Sequence, residues 1–133
     1  MRLPRLPIRF AALLAALLAV TSPAWAATEI PFTQQAFTEA QIAGKPILVH
    51  ITAPWCPVCA KQHPIIEKLK ADARFNDLAI LDVDFDSQKD VVRAMGAQMQ
   101  STLVVFHGAA EKGRSTGDTN AASIETLLDK SHS

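Results

Sequence analysis

Short apolar runs alternate along this chain with segments whose apolar residues recur at helical spacing. Three of the runs predict buried strands, at residues 46–53 (PILVHITA), 78–85 (LAILDVDF) and 102–107 (TLVVFH). Helices are predicted after Thr33, from about Cys56, over residues 87–95 and over residues 120–130. Gly108 and Gly113 leave room for a hairpin into a short strand near Ser115. This order predicts an α/β fold with a central mixed β-sheet flanked by helices.

The first 26 residues have a different pattern. Three arginines lie in residues 1–9, residues 10–20 contain no polar side chain, and Ala24 and Ala26 form a small-residue cleavage pattern. This combination predicts a secretory signal peptide. Its 11 apolar residues are too few for a comfortable membrane span, which needs about 20. We expect residues 1–26 to be removed and residues 27–133 to form one periplasmic domain, an uncleaved N-terminal anchor being the alternative.

The charge of the expected mature chain argues against a nucleic-acid partner. Without Arg2, Arg5 and Arg9 it keeps 10 Lys and Arg against 13 Asp and Glu, a formal charge of −3. It has no basic stripe and no aromatic-rich strand pattern of the kind that binds nucleic acids, and we expect a monomer. Export would place the chain in an oxidising compartment, where its cysteines can form a disulfide.

The only two cysteines, Cys56 and Cys59, lie in WCPVC, where a predicted strand gives way to a predicted helix. A disulfide that closes so small a loop adds little stability, so a purely structural role is disfavoured. A helix start stabilises a thiolate through unpaired N–H groups and the helix dipole. Cys56 is therefore the expected nucleophile. Cys59, about one turn on, is placed to resolve a mixed disulfide formed at Cys56.

A Cys-x-x-Cys pair between a strand and a helix resembles the active site of the thioredoxin superfamily. The strand ILVHITA, the motif WCPVC, Pro64 five residues after Cys59, VDFDSQ and STLVVF also fall in register with that family. The resemblance covers roughly residues 30–130. It implies a thioredoxin fold, an exposed Cys56 and a more buried Cys59.

Two positions beneath the motif depart from the family pattern. The buried Asp that thioredoxins carry in the strand before the motif is replaced by His50, and its Lys companion on the neighbouring strand is replaced by Asp82. A histidine oriented by a carboxylate can accept the proton of the resolving thiol. The alternative is a core histidine that the carboxylate satisfies for packing alone.

The family places a cis-proline before the third strand, and the resemblance assigns that position to Ser101. A cis bond before a non-proline residue costs about 3–4 kcal/mol, so we expect a trans Gln100–Ser101 bond and an altered peptide groove. We expect Trp55, Pro57, Ser101 and Thr102 to line this groove. Trp55 would contribute an apolar docking surface.

We expect an exported thiol-disulfide oxidoreductase that acts on protein thiols and disulfides and needs no cofactor beyond the Cys56–Cys59 disulfide. The resemblance to periplasmic family members implies re-reduction by a membrane electron relay. The rival interpretation is a metal carrier for copper, zinc or an iron–sulfur centre. It would use Cys56, Cys59 and His63, which lies four residues after Cys59 on the same helical face.

Overall fold

The computed structural model describes residues 26–133. The strands are β1 (Thr28–Pro31), β2 (Pro46–Thr52), β3 (Ala79–Asp84), β4 (Thr102–His107) and β5 (Ala110–Thr116). The α-helices are α1 (Gln34–Ile42), α2 (Pro57–Lys70), α3 (Lys89–Ala94) and α4 (Ala121–Asp129), and short 3-10 helices span Ala73–Phe75 and Lys130–His132. Within residues 26–133, no helix combines the length and the hydropathy that a membrane span requires.

The strands form one mixed sheet in the order β1-β3-β2-β4-β5. Strands β1, β3 and β2 run parallel, whereas β4 is antiparallel to both β2 and β5. The parallel pairs are joined through helices, and β4 and β5 form the predicted hairpin. Because β2 is central and is buried from Pro46 to Ile51, the chain that leaves its carboxyl end starts from a rigid position.

Helices cover both faces of the sheet. One apolar core packs Phe32, Phe37 and Val92, on the side of α1 and α3, against Val49 and Val104 of the sheet. The other packs α2 and α4 against the opposite face, through buried side chains that include Ile66, Leu69, Ile124 and Leu128. The site discussed below lies on this second face, beneath α2.

Local chemistry explains where the helices begin. The Thr33 side chain accepts a hydrogen bond from the Ala36 N–H at 3.0 Å, and the Asn120 side chain accepts one from the Ser123 N–H at 2.9 Å. Each satisfies an N–H that the first helical turn leaves unpaired. At α2 the capping residue is Cys56 itself, and Pro57 occupies the first turn, where its missing N–H costs nothing.

The predicted α/β fold with a mixed sheet is confirmed, and the bounds of its central strands and helices agree within a few residues. Two kinds of element were not predicted: the edge strand β1 and the two short 3-10 helices. The predicted signal peptide, residues 1–26, lies outside the described part of the chain except for its last residue, Ala26.

Candidate active site

The cysteine pair lies where the chain passes from β2 into α2. Cys56 is the N-cap of α2 and has an extended backbone (φ −83°, ψ 113°), whereas Cys59 lies inside the first turn. The two sulfurs are joined in a disulfide, and the Cα atoms are 5.3 Å apart. The strand-to-helix junction that the sequence predicted therefore holds a closed redox pair.

Helix geometry distinguishes the two sulfurs electrostatically. The Cys59 N–H donates to Cys56 Sγ at 3.1 Å, so an unpaired helical N–H points at that sulfur. Such a donor and the positive end of the helix dipole stabilise negative charge on Cys56. The solvent exposure of the two cysteines differs very little: Cys56 is 2% exposed and Cys59 is fully buried. The expectation of an exposed Cys56 was wrong, because its capping position turns the side chain back onto the first turn of α2.

Trp55 stands beside the pair as an exposed apolar surface, with 57% of its area accessible. Its Nε1–H donates to Asp86 Oδ2 at 2.7 Å. Asp84 organises the turn that carries Asp86, since Asp84 Oδ1 accepts from the N–H groups of Asp86 and Ser87 and from the Ser87 hydroxyl. The hydrogen bonds from Ser87 lower the pKa of Asp84. The turn after β3 thus holds the tryptophan ring in place.

His50 and Asp82 are directly opposite in the β2–β3 register, and both side chains point toward the face covered by α2. His50 Nδ1 lies 3.3 Å from Asp82 Oδ1, and neither atom makes a well-aligned hydrogen bond within residues 26–133. His50 is fully buried, whereas the Asp82 side chain keeps 28% of its area exposed. The structure therefore brings together the two residues that the family register had placed beneath the cysteines.

The surroundings of Asp82 favour its charged form. Burial alone would raise the pKa of Asp82, but its interactions with neighbouring side chains, of which His50 contributes most, outweigh burial and lower it. Glu29 is itself paired with Lys70. A carboxylate at this position can attract a proton to His50.

Gln62 is a buried polar residue of α2 that the sequence interpretation overlooked. Its Oε1 lies 3.3 Å from His50 Nε2, and its Nε2 donates to the carbonyls of Ser101 (3.1 Å) and Asp118 (2.8 Å). A glutamine between Lys61 and His63 on a helix suggests a solvated side chain, and no local signal in the sequence distinguishes it. Only the position of Gln62 on the buried face of α2, with Cys59 and Ile66, could have indicated its role.

Ser101 and Thr102 lie at the start of β4, where Thr102 pairs with Ile51 near the end of β2. Ser101 has φ 58°, the only positive φ of a non-glycine in residues 26–133, which contain no cis peptide bond. Both residues are buried. The Ser101 hydroxyl donates to the Gln100 carbonyl, and the Thr102 hydroxyl donates to the Met99 carbonyl. They shape the segment before β4 and present no free side chain to a groove.

His63 lies beside His50. The two ring centroids are 5.1 Å apart, and His63 Nε2 is 3.4 Å from Thr52 Oγ1. A surface pocket of about 310 Å³ gives solvent a route to Asp82; its lining includes His63, Asp84 and Gln88. Residues 26–133 contain no group of three His, Cys, Asp or Glu placed to hold a metal ion. The metal-carrier hypothesis has no support from the geometry of Cys56, Cys59 and His63.

A thioredoxin fold with a disulfide at the start of the helix after the central strand defines the class of the protein. Residues 28–130 match the family described as thioredoxin, and the chain belongs to that family. Proteins of this family catalyse thiol-disulfide exchange through a redox-active disulfide, without a cofactor. The Cys56–Cys59 pair supplies that disulfide here.

Named relatives agree with this family. Thioredoxin H2-1 of Oryza sativa subsp. japonica is 32% identical over 92 residues, which are 67% of this chain and 65% of the relative. The thiol:disulfide interchange protein CycY of Rhizobium leguminosarum bv. viciae is 44% identical over 48 residues, 36% of this chain and 26% of the relative. The chain thus spans less than two thirds of the length of these relatives.

A solved structure is similar over nearly its whole length. Trxlp from Edwardsiella tarda EIB202 is 37% identical, with a TM-score of 0.72, and the match covers 74% of this chain and 95% of that one. Oxidised thioredoxin O2 from Arabidopsis thaliana, at 21% identity and a TM-score of 0.63, shares the fold.

Proposed function

We propose that this protein is an exported thiol-disulfide oxidoreductase that exchanges disulfides with partner proteins, with Cys56 as nucleophile and Cys59 as resolving thiol. The observation that carries the proposal is the capping geometry, in which the Cys59 N–H points at Cys56 Sγ at the start of α2. A sulfur so placed is the better thiolate, and the thiolate is the attacking species. Membership of the thioredoxin family supports the reaction type.

In the reducing direction the Cys56 thiolate attacks one sulfur of a partner disulfide. The partner's S–S bond breaks, one partner sulfur leaves as a thiolate, and the other is joined to Cys56. Cys59 then loses its proton and attacks Cys56 Sγ, which releases the second partner thiolate and forms the Cys56–Cys59 disulfide. Two electrons pass to the partner. The reduction potential of the pair determines which direction prevails in the cell.

We assign to His50 and Asp82 the role of accepting the proton that Cys59 loses. Cys59 lies one helical turn before Gln62 and His63, both of which contact His50. Since Cys59 and His50 are fully buried, this pair is an internal destination for the proton, and the pocket beside Asp82 connects it to solvent. The pair supports resolution by accepting the proton and supports the reverse reaction by returning it.

Partners are expected to dock beside the pair. Trp55 offers an exposed ring next to Cys56, and Met99, which is also exposed, lies just before β4 at the same end of the sheet. Pro57 is exposed at the start of α2. If the protein works as a reductase outside the cytoplasm, a membrane electron relay must reduce Cys56–Cys59 again. The formal charge of −3 gives no reason to expect nucleic acid as a partner.

Insulin reduction tests the activity. The full chain is produced in an exporting bacterial host, and turnover by dithiothreitol-reduced protein is compared among wild type, Cys56→Ser and Cys59→Ser. We expect turnover to fall to the uncatalysed rate in both variants, and only Cys59→Ser to accumulate a mixed disulfide with the partner. Bound metal is measured on the same samples. Stoichiometric metal without turnover in the wild type would refute the oxidoreductase proposal.

Localisation is tested separately in the same host. The N-terminal pattern supports export, and we expect the protein in the periplasmic fraction with a mass that begins at Ala27. A matched variant, Ala24→Arg with Ala26→Arg, should retain residues 1–26 because the small-residue cleavage pattern is lost. Wild-type protein of full-length mass in the cytoplasmic fraction would contradict the proposed export.

A further inference from the structure

The amide of Gln62 has one possible orientation. Its Nε2 faces two backbone carbonyls, Ser101 O at 3.1 Å and Asp118 O at 2.8 Å, and a carbonyl oxygen can only accept a hydrogen bond. The NH₂ group must therefore point at these carbonyls. The other end of the amide, Oε1, then faces His50 Nε2 at 3.3 Å.

This orientation decides which nitrogen of His50 carries a proton. An amide oxygen is an acceptor only, so His50 Nε2 must be protonated to bond with it. In a neutral imidazole with Nε2–H, the other nitrogen is a bare lone pair. That lone pair would face Asp82 Oδ1 at 3.3 Å, an acceptor opposite an acceptor. One further proton between Nδ1 and Oδ1 removes the conflict.

We propose that Gln62 is a positioning residue that holds His50 in the Nε2–H form, so that His50 and Asp82 together retain one extra proton between Nδ1 and Oδ1. This inference deepens the proposed function and rests on it for its catalytic meaning. The lowered pKa of Asp82 agrees with an ionised carboxylate that faces a proton donor at Nδ1.

The charged and titratable groups around the His50–Asp82 pair come from β1 and α2. Glu29 of β1 contacts Asp82 and is paired with Lys70 of α2. His63 of α2 packs edge-on against the His50 ring. Cys59 lies one turn before them on α2, and the facing residue of β4 is the apolar Leu103. Among these groups, only Asp82 approaches Nδ1 within ion-pair distance in the described residues.

The retained proton has a use when the disulfide opens. A partner thiolate attacks Cys56 Sγ and the Cys56–Cys59 bond breaks. Cys59 then leaves with the electron pair of that bond. The proton held by His50 and Asp82 passes to the Cys59 thiolate, and the pair is left with two facing lone pairs, which makes it a strong acceptor. In the reverse reaction, Cys59–SH returns its proton to this acceptor before attacking Cys56 Sγ.

Two substitutions test the acceptor oxygen and the donor NH₂ group of Gln62 separately. Gln62→Met has similar length but neither group, so a neutral His50 can move its proton to Nδ1 and donate to Asp82. Gln62→Glu keeps an acceptor for Nε2–H but loses both bonds to the carbonyls. If Gln62 only ties α2 to Ser101 and Asp118, the two variants should affect His50 alike.

The measurement is long-range ¹H–¹⁵N correlation of the histidine rings in the oxidised full chain, with His50 signals identified by their loss in His50→Asn. We expect the wild type to carry Nε2–H together with a second proton between Nδ1 and Asp82, and Gln62→Glu to keep Nε2–H. In Gln62→Met, which removes the hydrogen bond that holds Nε2–H, we expect a neutral ring in which Nδ1–H is favoured over Nε2–H by about tenfold or more.

A neutral wild-type ring, protonated at only one nitrogen and with no proton shared with Asp82, would overturn the proposal, and so would an unchanged protonation pattern in Gln62→Met. The wild-type measurement decides even if Gln62→Glu does not fold. No turnover is involved, so a protein inactive toward insulin but with Nε2–H at His50 would refute the proposed function and leave the tautomer assignment standing.

Discussion

His50 and Asp82 face each other across neighbouring parallel strands, with Nδ1 and Oδ1 3.3 Å apart beneath the helix that carries Cys59. The base is fully buried and the acid is partly exposed to a pocket. In such an arrangement the carboxylate is accessible to solvent, whereas the imidazole ring faces α2. The proposed proton path from Cys59 to bulk water therefore runs through both residues, and its kinetic and thermodynamic consequences are measurable.

Replacing His50 with Ala should slow resolution more than initial attack. Cys56 already has its helix-start donor, whereas Cys59 loses the nearby acceptor for its proton. General acid–base groups contribute about 10²- to 10⁴-fold, so we expect the second step to slow by about a hundredfold. Stopped-flow fluorescence separates the steps, because Trp55 adjoins Cys56.

His107→Ala is the matched control, since His107 pairs with Pro46 at the far end of the β2–β4 ladder. It should leave both rates close to the wild-type values. Equal slowing of attack and resolution in His50→Ala would indicate a distorted site, and unchanged resolution would make His50 a packing residue only.

Asp82→Asn should lower stability at neutral pH and have little effect in strong acid. The pKa of Asp82 in the folded protein lies below its ordinary value of 3.8. A lowered pKa contributes stability that is fully present above the unfolded value and is lost as pH falls through the folded one. We expect a loss of about 1–3 kcal/mol at pH 7, as for a hydrogen bond to a charged group.

Urea unfolding of the oxidised protein at several pH values between 7 and 2 measures this difference. Asp90→Asn is the control, because Asp90 is exposed and has no side-chain partner among residues 26–133. A difference between wild type and Asp82→Asn that grows below pH 3.8 would mean that the carboxyl is bound in its neutral form, contrary to the lowered pKa.

The sequence predicted the parts of the fold that have local causes. Residues 46–53 form a branched apolar run, which becomes the buried β2, and Thr33 is a standard cap for α1. The Cys pair was recognisable because a helix start is visible from Pro57 and the strand before it.

Other features depend on partners far away in sequence. Strand β1 (Thr28–Pro31) is short and largely exposed, and it is a strand only because β3 pairs with it. The partners of Gln62 are 39 and 56 residues away, so its role has no local signature. The burial of Cys56 follows from the cap geometry of α2, which composition does not indicate.

The face of α2 below the active site should be essential for stability. Ile66 is buried in the core that includes Leu69 and Ile124. Ile66→Ala should cost about 2–5 kcal/mol, because it removes buried methylene groups and leaves a cavity. Ile42→Ala, at a position 82% exposed, should change stability by about 0.5 kcal/mol or less. Urea unfolding compares them, and equal costs would contradict the packing of α2.

Trp55 should contribute to partner binding and not to the chemical step. Its ring is exposed beside Cys56, and Asp86 fixes the ring through Nε1–H. Truncating an aromatic anchor typically costs about 2 kcal/mol or more of binding, so Trp55→Ala should raise KM for a protein disulfide by about thirtyfold. The rate with a small disulfide, which needs no docking surface, should stay close to wild type. Trp55→Phe keeps the ring but loses the bond to Asp86, and its KM should fall between the two. A parallel loss with protein and small disulfides would instead place Trp55 in the exchange step, because only a change at the reacting sulfurs affects both substrates alike.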